Sequence, residues 1–187
     1  MAEYHFTTHT KKILADTITP VSVYLKIRDV FPNSLLLESS DYHANDNSFS
    51  YICCRPIASV YIENKTLIQQ FPDGEKEEIS LDKKSDVPGL IHNFVSKFSS
   101  KGEGYKFISN GLFGYLSYDA VQYFEDISIK NKEQDFSIPD LYYAVYQNII
   151  AINHFKNEAY LFCHSLDGSN NLSQIEQLLQ SKNIPSY

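Results

Sequence analysis

The chain has 187 residues, a formal net charge of −7 at pH 7 and a hydrophobic fraction of 43%. This composition is typical of a folded core and excludes a disordered chain. Arg28 and Arg55 are the two arginines. Because nucleic-acid binding normally requires a basic face, that class of protein is disfavoured. The length predicts a single domain over residues 1–187.

The cysteines and the N-terminal segment indicate the compartment. The chain has three cysteines, Cys53, Cys54 and Cys163. An odd number with two of them adjacent argues against a disulfide framework, and this favours a reducing environment. Residues 1–12 are polar and lack the apolar stretch of a signal peptide, and no window approaches the ~20 apolar residues of a membrane span. We therefore expect a cytoplasmic protein without membrane association, with residues 1–17 as a polar N-terminal extension.

Hydrophobic periodicity and turn residues predict the secondary structure. The first helix is expected at Thr19–Phe31, because Thr19 suits a cap and Pro20 suits the first helical position. The next elements are strands at Ser34–Ser39, Phe49–Cys54, Ser59–Glu63 and Thr66–Phe71, the last two joined by a tight hairpin turn at Asn64-Lys65, and an exposed strand that ends at Ile79. A second helix follows up to Phe98, with Asp86 as its cap. The remaining elements are a strand at Gly111–Ser117, a short helix at Asp119–Phe124 capped by its own Asp, strands at Leu141–His154 and Ala159–His164, and a helix at Leu172–Gln180.

Polar loops separate some of these elements. We expect a solvated loop at Asp41–Ser48 and a mobile loop at residues 125–138, both rich in charged and polar side chains. Strands and helices are mixed without a regular βαβ alternation. The predicted fold class is therefore α+β, with a mainly antiparallel sheet and flanking helices.

Motifs for nucleophilic catalysis and metal binding are scarce. Neighbouring strand residues point to opposite faces, so Cys53 and Cys54 cannot share a site, and small buried core cysteines are the favoured interpretation. The six histidines are scattered without zinc spacing, and residues 41–47 lack the spacing of a calcium loop. We predict no catalytic residue, metal ligand or cofactor site in this chain.

Two glycines stand out in the segment Gly111-Leu-Phe-Gly-Tyr-Leu-Ser-Tyr-Asp. Glycine inside a strand weakens it unless another backbone or a ligand must approach closely. Tight packing of the sheet is favoured here over direct contact with a ligand.

The segment Leu35–Ser40 carries an unusual combination of residues. Glu38 follows three leucines, and an unpaired buried carboxylate is costly, so Glu38 is exposed, paired or reserved for a cationic ligand. With the hydroxyls of Ser39 and Ser40, these groups are suited to hold the zwitterionic end of an amino acid. From the residues alone, a strand end that faces water remains the favoured interpretation.

Several motifs, taken in order, resemble a known family. They are Thr19-Pro20-Val21-Ser22, the run Phe31–Ser39, Phe49-Ser50-Tyr51-Ile52 followed by Pro56, the run Gly111–Glu125, and Pro139-Asp140 with the long strand after it. Over about Thr19–His164 the chain resembles the N-terminal domain of anthranilate synthase component I, the large subunit of that enzyme.

The resemblance implies an activity for the full-length protein. Members of the family convert chorismate and ammonia into anthranilate and pyruvate with Mg²⁺, in tryptophan biosynthesis, and a separate glutamine amidotransferase subunit supplies the ammonia. The residues that bind chorismate and Mg²⁺ lie in a C-terminal domain, which this chain is expected to lack. The expected partners are thus that C-terminal domain and the amidotransferase subunit, and the chain alone is expected to be inactive.

The resemblance also implies a regulatory site for L-tryptophan as a feedback inhibitor. Leu37, Glu38 and Ser39 match the segment that lines this site, with Ser39 holding the polar end of tryptophan and Glu38 near its ammonium. Pro20 and Ser40 match positions linked to feedback sensitivity. Phe49 is a further candidate, although many relatives carry a basic residue where Ser48 and Phe49 stand.

Two alternatives remain open at the level of sequence. The chain is also similar to the corresponding part of aminodeoxychorismate synthase component I, a relative in the folate pathway in which a bound tryptophan can be structural. A more distant alternative is a non-enzymatic module that docks a glutamine amidotransferase. The catalytic sequence downstream would separate the first two.

Overall fold

The computed structural model describes residues 4–39, 48–101, 104–127, 129 and 138–181. Its elements are, in chain order, β1 (Tyr4–Leu14), α1 (Pro20–Arg28), β2 (Leu35–Leu37), β3 (Phe49–Glu63), β4 (Thr66–Gln70), β5 (Lys76–Ser80), α2 (Val87–Ser96), β6 (Phe98–Lys101), β7 (Phe113–Leu116), a 3₁₀ helix (Tyr118–Tyr123), β8 (Leu141–Asn153), β9 (Glu158–Ser165) and α3 (Leu172–Gln180). Mostly antiparallel strands with few helices confirm the predicted α+β class. Every helix in these ranges is too short or too polar to span a lipid bilayer.

The chain groups into two compact units. Of the described residues, those within Ile57–Phe98 and Leu112–Val145 form unit 1, and those up to Pro56, within Ser99–Gly111 and from Tyr146 onward form unit 2. The long strands β3 and β8 contribute one half to each unit.

In unit 2, β9 pairs antiparallel with β1 on one side and with the second half of β8 on the other. One face of this sheet carries a core built with α1 and α3. The buried residues of that core are Ala15, Val23, Ile27, Phe31, Ile52, Cys54, Ile150, Ile152, Ala159, Leu161, Cys163, Leu172, Ile175 and Leu179. Burial of this apolar surface is the main stabilising contribution to the unit.

The N-terminal segment corrects one prediction. Residues 1–17 were expected to be a polar extension, but Tyr4–Leu14 form the eleven-residue strand β1, paired with β9 from Thr7 opposite Ser165 to Leu14 opposite Glu158. The main chain supplies these hydrogen bonds, so a strand at this position needs few apolar side chains. Phe6, at 3% exposure, is its buried anchor.

The caps of α1 and α3 depend on both local and distant groups. Thr19 and Ser22 form a reciprocal capping box at the start of α1, as the sequence predicted for Thr19, and the helix ends at Arg28 rather than Phe31. In the last turn of α1, Lys26 Nζ donates to the carbonyl oxygens of Leu179 (2.8 Å) and Ser181 (2.7 Å). The ammonium thereby satisfies acceptors that the C-terminus of α3 leaves open.

Unit 1 contains an antiparallel meander in which β4 pairs with the second half of β3 and with β5. Asn64 and Lys65, predicted as a tight turn, have φ of 50° and 58°, as a two-residue hairpin loop requires. Asp86 caps α2 through the main-chain N–H of Gly89, as predicted. The helix ends at Ser96.

The strands predicted at Phe49–Cys54 and Ser59–Glu63 are one strand, β3, of 15 residues. The prediction left Arg55 and Pro56 between two separate strands. The chain instead passes through this point with Arg55 at φ 59°, a left-handed conformation tolerated within an otherwise extended strand.

Gly114 shows why glycine is needed in β7. A Cβ built at this residue would lie 1.9 Å from the carbonyl oxygen of Tyr142, on the paired strand β8. This close backbone approach agrees with the favoured interpretation of tight sheet packing. The short helix that follows is a 3₁₀ helix beginning after Ser117, so the prediction that Asp119 caps it was wrong.

The predicted loops at Asp41–Ser48 and 125–138 fall mainly on residues outside the described ranges, and they stay predictions.

Candidate functional site

The candidate ligand segment begins in β2, which is shorter and less buried than the sequence predicted. The expected buried strand Ser34–Ser39 is reduced to the three leucines Leu35–Leu37. Leu37 is 40% exposed, Glu38 is exposed and Ser39 is partly buried, with contacts of its own. Ser40 lies outside the described residues. The carboxylate of Glu38 is therefore at a strand end that faces water, which avoids the desolvation cost of burial.

Strand register places Leu37 beside an aromatic residue. Leu35 lies opposite Cys53 and Leu37 lies opposite Tyr51 in the antiparallel pair of β2 and β3. Directly opposed residues share a face of the sheet. Leu36, which alternates with them, packs against the core on the other face.

The face shared by Leu37 and Tyr51 carries an aromatic cluster that sequence reasoning missed. The ring of Phe49 stacks on Phe107 with centroids 4.6 Å apart and planes at 25°, and lies 6.2 Å from the ring of Tyr51. Phe107 also contacts the rings of Tyr105, Tyr160 and Phe162. The signal available in the sequence was the alternation of aromatic residues at 105 and 107 and at 160 and 162.

Tyr51 links this cluster to the segment after Gly104. The main chain of Ile108 hydrogen-bonds to the Tyr51 phenol, and burial raises the pKa of Tyr51 above its ordinary value in spite of this bond. Tyr51 therefore stays a neutral phenol at physiological pH. It is suited to hold the segment in place rather than to act as an acid or base.

The other predicted site residues have structural partners. Pro20 occupies the first turn of α1, which packs against β2, and its ring is partly buried. Phe49 is also partly buried, with its ring against Phe107 and Tyr51. The structure thus brings Leu37 and Phe49 to one face through Tyr51. It places Pro20 on the adjacent helix.

The cysteines are core residues, as the sequence favoured. All three have 0% exposure, and burial raises the pKa of the Cys54 thiol to about 12 and that of Cys53 well above its usual value. A buried, protonated thiol is a poor nucleophile. Within the ranges that the structure describes, no three His, Cys, Asp or Glu side chains come together as a metal site would require.

An open cavity of about 550 Å³ lies in unit 1, away from the predicted residues in sequence. It is lined by residues 83–86, Pro88 and residues 122–127, with lysine, aspartate and glutamate side chains together. None of the candidate tryptophan-binding residues lines it.

A comparison with protein families identifies the chain. The family model described as chorismate binding enzyme matches residues 57–186, more than half of the sequence. The chain belongs to the chorismate binding enzyme family. The match begins after β2 and the first half of β3, so it does not include Leu37, Glu38 or Ser39.

Curated relatives of this chorismate binding enzyme are anthranilate synthases. The chain is 28% identical over 180 residues to anthranilate synthase component 1 of Lactococcus lactis, covering 94% of this chain and 36% of that protein. It is 26% identical over 159 residues to the protein of the same name from Thermus thermophilus, covering 85% and 32%. The chain therefore spans about a third of the length of these relatives. The resemblance to anthranilate synthase component I is confirmed at this level of identity.

Among solved structures, the chorismate binding enzyme is similar to anthranilate synthase component I from Streptococcus pneumoniae TIGR4. The two are 19% identical, with a TM-score of 0.49, over 90% of this chain and 35% of that one.

Proposed function

We propose that this chain is the tryptophan-sensing part of an anthranilate synthase component I. The complete protein would convert chorismate and ammonia into anthranilate and pyruvate, a lyase reaction of tryptophan biosynthesis, in the cytoplasm. The chain is about a third as long as the relatives that carry this name. We place catalysis in the part of the protein that those relatives have in addition, so the chain alone would be inactive.

One observation carries the proposal of a tryptophan site. At the end of β2, an exposed apolar side chain, Leu37, is followed directly by an exposed carboxylate, Glu38, and by the hydroxyl-bearing Ser39. A free amino acid such as tryptophan carries an apolar side chain next to an ammonium and a carboxylate. Each of these three groups would have a complementary partner in this segment. Glu38 would attract the ammonium, and Ser39 would donate to the carboxylate.

Feedback inhibition requires that tryptophan bind more tightly to one arrangement of the protein than to another, and that the two arrangements differ in their affinity for chorismate. We infer that tryptophan binds between the segment 37–39 and the catalytic part of the protein and favours an arrangement with weaker affinity for chorismate. The coupling is then reciprocal, so chorismate weakens tryptophan binding by the same factor.

Mg²⁺ and the amidotransferase belong to the complete protein in this proposal. We place the metal in the catalytic part, because the resemblance implies that the residues binding Mg²⁺ lie in the C-terminal domain. A glutamine amidotransferase subunit would supply the ammonia.

The test of the proposed site is Ser39→Ala in the full-length protein. Removing one hydroxyl that binds a charged group is expected to raise the tryptophan concentration for half-inhibition roughly tenfold, while the uninhibited rate falls much less. Ser96→Ala, on the exposed face of α2 in unit 1, is the matched control and should leave inhibition unchanged. Equal inhibition of the Ser39→Ala variant and the parent protein would remove Ser39 from the site.

A second measurement uses the absence of tryptophan from this sequence. Indole fluorescence from a mixture of this 187-residue chain and L-tryptophan comes from the ligand alone, so its anisotropy reports binding directly. We expect weak binding or none, because half of the proposed pocket belongs to the catalytic part. Tight binding would show that this chain carries the whole site.

A further inference from the structure

Asn110-Gly111 is the only place in the 187-residue sequence where glycine follows asparagine. Both residues are partly exposed and lie between β6 and β7, in a stretch that forms neither strand nor helix. Gly111 has φ 134°, a conformation that residues with a side chain rarely adopt. Among the described residues, nothing but its chain neighbours lies within 4 Å of the position where a Cβ would stand. The main-chain nitrogen of Gly111 is therefore sterically open.

Two hydrogen bonds hold the Asn110 carboxamide against this nitrogen. Gly111 N donates to Asn110 Oδ1 at 2.8 Å, so it uses its proton on the preceding side chain and not on a strand partner. Asn110 Nδ2 donates at 2.9 Å to the hydroxyl of Ser100, an exposed residue of β6. The carboxamide is thus fixed through its oxygen and its nitrogen, with its carbon next to the Gly111 nitrogen. Groups that are held in contact react faster than groups that must first meet.

We propose that Asn110 is a site of spontaneous deamidation in the folded protein. The Gly111 nitrogen gives up its proton to a solvent base and forms a bond to Cγ of Asn110. The bond from Cγ to Nδ2 breaks, and Nδ2 leaves as ammonia with a proton from solvent. Water then adds to one of the two carbonyl carbons of the succinimide ring. Opening on one side gives aspartate, and opening on the other gives isoaspartate, in which the main chain runs through Cγ.

The surroundings of Asn110 determine what the modification changes. The carbonyl of Ser109 accepts from His164 Nε2 at 3.0 Å, and Phe107 packs in the aromatic cluster. Isoaspartate adds one methylene to the main chain directly after Ser109, which alters the spacing between these anchors and β7. The new carboxylate can only accept, so the bond that Asn110 donates to Ser100 is lost. Modification therefore loosens the stretch that joins β6 to β7.

The experiment is peptide mapping by mass spectrometry of the full-length protein after incubation in native buffer. The peptide that contains Asn110 should gain about 1 Da, and enzymatic methylation of isoaspartate should label it. Asn64 and Asn157 are exposed turn residues followed by lysine and glutamate, and as internal controls they should stay unmodified. The rate at Asn110 should rise about tenfold per pH unit, because the deprotonated amide is the form that attacks.

Ser100→Ala tests the geometry, because it removes the group that holds Nδ2 and leaves asparagine and glycine in place. We expect deamidation to slow about threefold to tenfold. Ser99→Ala is the matched control, since Ser99 is the preceding exposed residue of β6 and its hydroxyl contacts His5 Nδ1, at 2.6 Å, rather than Asn110. It should leave the rate unchanged. Equal rates in Ser100→Ala and the parent protein would overturn the arrangement as the cause of the reaction.

The comparison with unfolded protein tests the role of the fold. If Asn110 stays intact in the native protein but deamidates in urea, the fold protects it and the proposal is overturned. The proposal also fails if Asn64 or Asn157 reacts as fast as Asn110. In the modified fraction, main-chain hydrogen exchange over residues 105–111 should be faster than in the unmodified protein, and equal exchange would refute the loosening. None of these measurements needs tryptophan or chorismate, so their results are independent of the proposed function.

Discussion

His164 provides a test of the fold that does not depend on ligand or partner. Its ring is 1% exposed, with Nδ1 2.9 Å from Thr8 Oγ1 and Nε2 3.0 Å from the carbonyl oxygen of Ser109. The carbonyl can only accept, so Nε2 donates to it, and Nδ1 accepts from Thr8 in the neutral ring. Burial lowers the pKa of His164 from 6.5 to about 4.

The sign of the pH dependence follows from this shift. Between pH 6.5 and about 4 the unfolded chain binds a proton at this histidine and the folded chain does not. The free energy of unfolding therefore falls as pH is lowered through this window, by about 3 kcal/mol in all. Below about pH 4 both states are protonated and the contribution of His164 no longer changes.

The assay is urea unfolding between about pH 7 and about pH 4.5. His164→Gln keeps a donor and an acceptor but cannot titrate, so its free energy of unfolding should lose about 2.5 kcal/mol less than that of the parent over this range. His92→Gln, at an exposed position of α2, is the matched control and should follow the parent. Carboxylates such as Glu158 titrate in all three proteins and cancel in the comparison. Parallel curves for His164→Gln and the parent would refute the argument.

Two further predictions concern backbone contacts. Gly114→Ala places a methyl group 1.9 Å from the carbonyl oxygen of Tyr142, so β7 and β8 must separate, at a cost of about 2–4 kcal/mol. Thermal denaturation should show the loss, and Gly104→Ala, with open space around it, should not. Lys26→Met keeps the aliphatic stem but leaves the two carbonyls at the end of α3 without their ammonium, which should cost about 1–3 kcal/mol in urea unfolding. An unchanged midpoint would mean that water replaces the ammonium without loss.

Features that depend on neighbouring residues were predictable from the sequence. The cap at Thr19, the cap at Asp86 and the turn at Asn64-Lys65 each arise within four residues, and the structure has all three. Gly114 was predictable for a related reason, because glycine in a strand signals a close approach without identifying the partner.

Features that depend on distant pairing were not predictable. β1 has a polar sequence and becomes a strand only because β9 offers it a free edge some 150 residues later in the chain. The packing of Phe107 on Phe49 likewise joins residues far apart in sequence. Local propensity contains no information on either contact.

The segment Leu35–Ser40 was understood in part from its residues. The carboxylate of Glu38 faces water, as the residues alone favoured, and this position is compatible with a ligand because a charge kept in water costs little before the ligand arrives. Leu37 beside it is 40% exposed and is one of several exposed large hydrophobic residues in the described part of the chain. Apolar surface contributes about 25 cal/mol per Å² when it is covered, so Leu37 would stabilise a complex in which the ligand covers it. Ser39→Ala in the full-length protein is therefore the direct test of the proposed ligand-binding role of this segment.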